Sequence, residues 1–284
     1  MTYSYEDMQK ELSRFGEEHG EAEIYTFGRS ARMRELVAVD VGRGERKLLM
    51  VGGHHGREYV SSAFVMRSME QLMFVGGAPD GTAVTFVPMI NPDGVEISAK
   101  GGDALTDKME MLGTDTRSWK ANGNGVDLNR HYPARFGEKA NLANGPASEG
   151  FGGYAPATEP EAVCLMELCH KKSFLIGATF HSKGETIIYG DANTPGIIPE
   201  SLIIAEKLAS STGYDIAPVS MDPASYGGGF ENWFRQTFGR PCILVELAPS
   251  DGTDLPFGME RFAGRVWSRC RNVCSVLAGC LFDV

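Results

Sequence analysis

The chain has 284 residues, 42% hydrophobic and 23% charged, with a formal net charge of −10. That length suffices for one large α/β domain or two small ones, and the acidic balance argues against a nucleic-acid backbone as partner. A small or cationic substrate fits better.

No apolar stretch approaches the about 20 residues that span a membrane. Residues 1–7 carry neither the basic nor the apolar region of a signal peptide. The six cysteines, Cys164, Cys169, Cys242, Cys270, Cys274 and Cys280, form no C-x-x-C pair and sit mostly in apolar stretches. Reduced, mostly buried thiols in a cytoplasmic protein are the expectation.

In chain order, residues 5–15 have the pattern of an amphipathic helix, with Ser4 and Asp7 placed to cap it. Residues 36–41 and 47–51 read as strands flanking the turn Gly42-Arg43-Gly44. Helical periodicity runs over 59–74 through Val60, Phe64, Val65, Met69 and Leu72. A strand follows at 82–90, with Pro88 near its end. Residues 96–124 show no clear period, and unstructured stretches of that length in compact domains are usually functional.

Thr158, Pro160 and Glu161 read as a capping box opening the next helix. Residues 175–180 and 243–247 read as buried strands, 199–210 as a helix, and 261–282 as a closing helix. Alternating strands and helices predict a single α/β domain over 1–284, with a mixed, mostly parallel central sheet and helices on both faces. His55, Asn91, His181 and Glu246 all fall at or just after strand ends, where ligands gather in such sheets.

His55-Gly56-Arg57-Glu58 stands where a strand ends and a helix begins, and His181 ends another apolar run. Two histidines and one carboxylate are a ligand set for a catalytic zinc with one position open to water. Taken alone, the H-x-x-E also suits a core histidine and a helix-start glutamate favoured by the dipole. Glu246 lies between Ile243-Leu244-Val245 and Leu247-Ala248. A carboxylate framed by buried residues is costly unless it has a partner or a task.

Three further segments appear in order: Gly125-Val126-Asp127-Leu128-Asn129-Arg130, Gly227-Gly228-Gly229-Phe230-Glu231-Asn232-Trp233, and Leu244-Val245-Glu246. With them the sequence resembles the zinc carboxypeptidases of the carboxypeptidase A family. It is most similar to the bacterial branch that includes γ-D-glutamyl-meso-diaminopimelate peptidases. The resemblance runs from Gly28-Arg29-Ser30 to the last helix. It implies one zinc held by His55, Glu58 and His181, with Asp127 orienting the first histidine. It further implies that Glu246 is the general base, taking a proton from water and returning it to the leaving nitrogen. Asn129 and Arg130 match the pair that grips the terminal carboxylate of a small peptide substrate.

The departures concern substrate detail. Lys120 stands where the digestive enzymes carry an arginine that polarises the scissile carbonyl; a lysine acts there as a point charge. The family's mobile tyrosine falls on Ala224, leaving Tyr226 as the nearest candidate. His131 replaces a usual asparagine, and Lys183 a glutamine frequent in the bacterial branch. Glu231 matches the base of the leaving-residue pocket and suits a distal ammonium, or else points to solvent at a helix start. Arg235 or Arg240 is a candidate for the extra carboxylate of diaminopimelate. Arg57 either contacts the acyl side or serves as a structural ion-pair partner.

The implied activity is removal of a C-terminal diamino acid from a short murein-derived peptide. Two other readings stand beside it: a zinc deacylase of N-acyl amino acids, and a binding protein on the same scaffold.

Overall fold

The computed structural model describes residues 1–101, 115–191 and 198–284. Eight strands form one mixed sheet: β1 (Glu23–Arg29), β2 (Glu35–Gly42), β3 (Arg46–Val51), β4 (Thr82–Val87), β5 (Ile176–Ser182), β6 (Thr186–Ile188), β7 (Asp215–Ile216) and β8 (Cys242–Leu247). Their spatial order is β1-β2-β4-β3-β5-β8-β6-β7. The central run β4-β3-β5-β8 is parallel throughout, and antiparallel pairings flank it.

The centre is buried on both faces, which explains its nearly continuous apolar runs. Side chains alternate between two cores. Leu48 and Met50 enter one core with α1 (Tyr5–Glu18), α2 (Tyr59–Phe74), α5 (Pro199–Thr212) and α7 (Val273–Cys280). Leu49 and Val51 enter the other, with α4 (Pro160–Lys172) and α6 (Phe230–Phe238). Helices therefore cover both faces, as the alternation in sequence implies.

Several expected elements are present as read. Ser4 and Asp7 form a reciprocal cap on α1, with Asp7 N–H donating to Ser4 Oγ at 3.2 Å and Ser4 N–H to Asp7 Oδ2 at 2.9 Å. Helix α2 spans the expected residues. All six cysteines are free, five of them buried. No helix among the described residues is long and apolar enough to cross a membrane.

The strands flanking Gly42-Arg43-Gly44 are present as read, though they are not sheet neighbours; β2 pairs with β1 and β4, and β3 with β4 and β5. Other expectations are corrected. Strand β4 stops at Val87 and leads to α3 (Pro92–Lys100), which occupies the start of the region without period. Asn91 caps α3 by accepting from Gly94 N–H at 2.8 Å, with Pro92 at its first turn, a legible start signal. Residues 102–114 of that region lie outside the described residues.

Thr158 does not cap α4. Glu159 occupies that position without a side-chain capping bond, and Glu161 instead accepts from Ala31 N–H at 3.0 Å and Asn122 Nδ2 at 3.3 Å. The closing helix is interrupted: a π-turn at Ala263–Trp267 and a short turn precede α7.

Candidate metal centre and substrate cleft

Three parallel strand ends build the site. After β3, one 3-10 turn, Gly56–Glu58, carries the chain into α2. A Cβ at Gly56 would lie 2.3 Å from the Gly94 carbonyl oxygen, so glycine is required where this turn packs on α3. The turn aims His55 and Glu58 at the same point. His181, from β5, joins them, and its register partner on β8 is Glu246.

His55 Nδ1 lies 2.9 Å from Glu58 Oε1 and 3.1 Å from His181 Nδ1, which is 3.0 Å from Glu58 Oε2. All three side chains are buried. They are the group of residues that could hold a metal ion among those described. The donor set fits zinc: two imidazole nitrogens and a carboxylate converge, and two Nδ1 atoms facing each other can share at most one hydrogen bond. A cation satisfies both lone pairs at once.

The far side of His55 is also held. Its Nε2 faces Asp127 Oδ1 at 3.2 Å, the carboxylate–histidine arrangement that leaves Nδ1 free as a donor to metal. Burial alone would raise the Asp127 pKa; His55, Lys120 and Arg130 outweigh it and hold Asp127 well below the usual carboxylate range.

Glu246 behaves oppositely. Burial, followed by the charge of Glu58, pushes its pKa up to about 8 against the pull of Lys120. Its Oε2 has no hydrogen-bond partner among the described residues. A carboxylate left this way beside a donor set for a cation is poised to carry or release a proton.

The triad and Glu246 open into a cleft of roughly 530 Å³, also lined by Arg57, Lys120, Asn129, Arg130, Tyr226, Glu231 and Arg235. The two glycine-rich segments meet here. A Cβ at Gly228 would sit 2.3 Å from the Arg130 carbonyl oxygen, and Gly228 has a φ of +71°. Asn129 joins the segments by accepting from Phe230 N–H at 2.8 Å, while Arg130 Nη1 donates to the Asn129 carbonyl at 2.5 Å.

Glu231 is buried rather than solvent-facing, and Asn129 Nδ2 approaches its Oε2 at 3.4 Å. Tyr226 lines the cleft, and its buried hydroxyl has no hydrogen-bond partner among the described residues.

The two candidate arginines part company. Arg235 reaches the cleft, but its guanidinium is bonded to Asp191 Oδ2 at 3.0 Å and to the Cys242 carbonyl at 2.6 Å. Arg240 is excluded, because it donates to the Ser173 and Phe174 carbonyls near the opposite strand ends. His131 is structural: Nδ1 donates to the Gly152 carbonyl at 2.6 Å, and Nε2 accepts from Thr158 and Glu159 N–H at 2.7 and 2.8 Å.

At the other wall, Lys120 and Arg57 share one carboxylate. Glu149 accepts from Lys120 Nζ at 3.0 Å and from Arg57 Nη1 at 3.1 Å. Burial opposes the charge on Lys120, but Asp127, Glu58 and Glu149 outweigh it and raise its pKa. Arg57 also meets Asp254 at 3.3 Å, so it is an ion-pair partner at the mouth of the cleft. Lys183 donates to Asp251 and to the Thr253 and Leu255 carbonyls at 2.8 and 3.1 Å, tying down the neighbouring loop. Glu149 had no signal in the sequence, since a lone glutamate in a glycine-rich loop is unremarkable until the loop is docked.

A family model described as zinc carboxypeptidase matches residues 8–233. The chain belongs to the zinc carboxypeptidase family. The family is zinc-dependent, and this member carries a His–Glu–His group able to hold the ion.

A curated relative, the gamma-D-glutamyl-L-diamino acid endopeptidase 1 of Lysinibacillus sphaericus, is 27% identical over 264 residues. The match covers 86% of this chain, and the chain spans 65% of that relative's length. Bovine thrombin-activatable fibrinolysis inhibitor shares the fold at a TM-score of 0.82 and 16% identity, covering 100% of this chain and 98% of that one. The murein-tripeptide amidase of Escherichia coli O157 shares it at a TM-score of 0.56 and 20% identity, covering 91% of each chain.

Proposed function

We propose that residues 1–284 form one catalytic domain of a zinc-dependent metallocarboxypeptidase. It hydrolyses the amide bond before the C-terminal residue of a short peptide, and the favoured leaving residue is diaminopimelate or another diamino acid from murein. One observation carries this substrate choice. The cleft that holds the triad also holds a cation, Arg130, and a buried carboxylate, Glu231, with no ion-pair partner among the described residues. That charge pair suits a residue with an α-carboxylate and a distal ammonium. The name of the Lysinibacillus relative, a gamma-D-glutamyl-L-diamino acid endopeptidase, supports the diamino acid but not the C-terminal position of the cut.

In this reading His55, Glu58 and His181 hold one zinc ion, which supplies a Lewis acid and lowers the pKa of water. Asp127 fixes the His55 tautomer. Glu246 accepts a proton from the attacking water as its oxygen bonds to the scissile carbonyl carbon. It then delivers that proton to the leaving nitrogen as the C–N bond breaks. The Lys120 ammonium donates to the carbonyl oxygen as negative charge grows there. Asn129 and Arg130 hold the terminal carboxylate, Glu231 meets the distal ammonium, and Tyr226 offers its unpartnered hydroxyl to the substrate. Arg235 is neutralised by Asp191, so an extra carboxylate on diaminopimelate gains little from it. Free cysteines support a cytoplasmic location.

The test is mass-spectrometric product analysis on murein peptides and on C-terminal lysine, arginine and phenylalanine peptides, as free acids and as amides. Release of single C-terminal diamino acids from free acids alone is expected. Equal cleavage of amides would make the protein an endopeptidase or an amidase.

A further inference from the structure

His55 has a carboxylate behind it. His181 has something different: a file of buried groups. His181 Nε2 lies 3.3 Å from Thr179 Oγ1, Thr179 Oγ1 lies 3.2 Å from His54 Nδ1, and His54 Nε2 lies 3.3 Å from the Tyr132 hydroxyl. All four side chains are at most 2% exposed. The His54 ring stacks on His181 with centroids 5.5 Å apart at 22°. None of Thr179, His54 and Tyr132 has a place in the chemistry above, and His54 does not line the cleft.

The Thr179 hydroxyl has one proton to give, so with that proton inside the file the hydrogen bonds run in one of two directions. In one direction His181 Nε2–H donates to Thr179, Thr179 donates to His54 Nδ1, and His54 Nε2–H donates to Tyr132. In the other, every donor reverses, and His181 must carry its proton on Nδ1. That atom is the one aimed at Glu58 and His55. Only the first direction leaves a lone pair there for a cation.

We infer that Thr179, His54 and Tyr132 are positioning residues that set the tautomer of His181 through a directional hydrogen-bond file, and so raise the zinc affinity of the site. The inference rests on the triad being the metal site. The backing group is a neutral hydroxyl and a neutral imidazole rather than an anion. His181 is therefore held in tautomer and orientation without adding a second buried carboxylate behind the site.

Chelator competition with zinc alone, on the apo protein and its variants, tests this. Thr179→Val is isosteric and removes the hydroxyl; zinc affinity should fall by about 10–100-fold. Thr179→Ser should recover most of that loss. Tyr132→Phe, one link further out, should cost less than Thr179→Val. Ring-nitrogen NMR of the zinc-loaded parent should place the proton of His54 on Nε2, and Thr179→Val should remove that preference.

The inference is overturned if Thr179→Val binds zinc as tightly as the parent, if Thr179→Ser is as weak as Thr179→Val, or if His54 in the loaded parent carries its proton on Nδ1. A parent that binds no zinc would instead sink the metal reading itself.

Discussion

The floor of the cleft and its rim hold charge in different ways. On the floor, His55, Glu58 and His181 are buried and Glu246 is half-buried at or just after central strand ends, with buried Asp127 behind His55. On the rim, Arg57 and Lys120 form ion pairs with Glu149 and Asp254, which are 46% and 78% exposed at the side chain, and Lys183 pairs with Asp251, which is 38% exposed. Buried charges without partners cost several kcal/mol, whereas exposed pairs contribute about 0–1 kcal/mol. The floor must be complete to function, while the rim can exchange its partners for those of a substrate.

The sharpest way to break the contrast is His181→Ala. It should abolish zinc binding and activity together while leaving the fold intact, as read by elemental analysis, turnover and circular dichroism. Full activity after exhaustive chelation, with no metal detected, would remove the floor's assigned purpose.

Next in size is Glu246→Gln, which keeps shape but removes the base. Turnover should fall by about 10²–10⁴-fold with little change in substrate binding. Near-normal turnover would make Glu246 structural. The same variant sharpens the contrast through pH. Burial and the Glu58 charge raise the Glu246 pKa to about 8 in the metal-free protein, above the ordinary glutamate value. A raised folded-state pKa gives stability that is complete below the unfolded pKa and lost as pH rises towards about 8. Urea denaturation of the metal-free protein should therefore show the parent losing stability relative to Glu246→Gln between pH 4.5 and about 8. Parallel pH profiles would contradict the assigned cause.

Intermediate effects belong to Arg130 and Glu231. Amidating the substrate's terminal carboxylate leaves the Arg130 guanidinium without an anionic partner, a loss of roughly 2–5 kcal/mol. kcat/KM should then drop by about thirtyfold to several thousandfold. Arg130→Ala should erase most of that discrimination, and Glu231→Gln should lower activity on diaminopimelate or lysine termini more than on apolar ones. If only the Glu231 result is negative, the class of reaction stands and the diamino-acid choice falls.

The smallest effect is expected at the rim. Asp254→Asn removes one exposed partner of Arg57 and should change kcat/KM by no more than about fivefold. A larger loss would show that the rim is as finely set as the floor.

The central strands and α2 were legible because a two-sided core imposes a long apolar run and an amphipathic helix imposes a 3.6-residue period. The edge of the sheet was not. Strand β1 is only partly buried, and β7 has two residues, so neither imprints a pattern on its sequence. Neighbours within the sheet were equally hidden: two strands joined by Gly42-Arg43-Gly44 invite a hairpin, but β4 separates them.

By itself, the sequence determined the donor types and their order: His55, Glu58, His181 and Glu246 fall at or just after strand ends and Asp127 in the Gly125–Arg130 motif, and their identities limit what they can bind. Partnership was decided only in three dimensions. Whether Arg235 is free or spent on Asp191, whether Glu231 faces water or the cleft, and that Glu149 joins Lys120 to Arg57 all depend on segments 29 to 102 residues apart. Hydrogen bonds and ion pairs act over about 3 Å. A chain read in one dimension carries no record of which distant groups the packing brings within that reach.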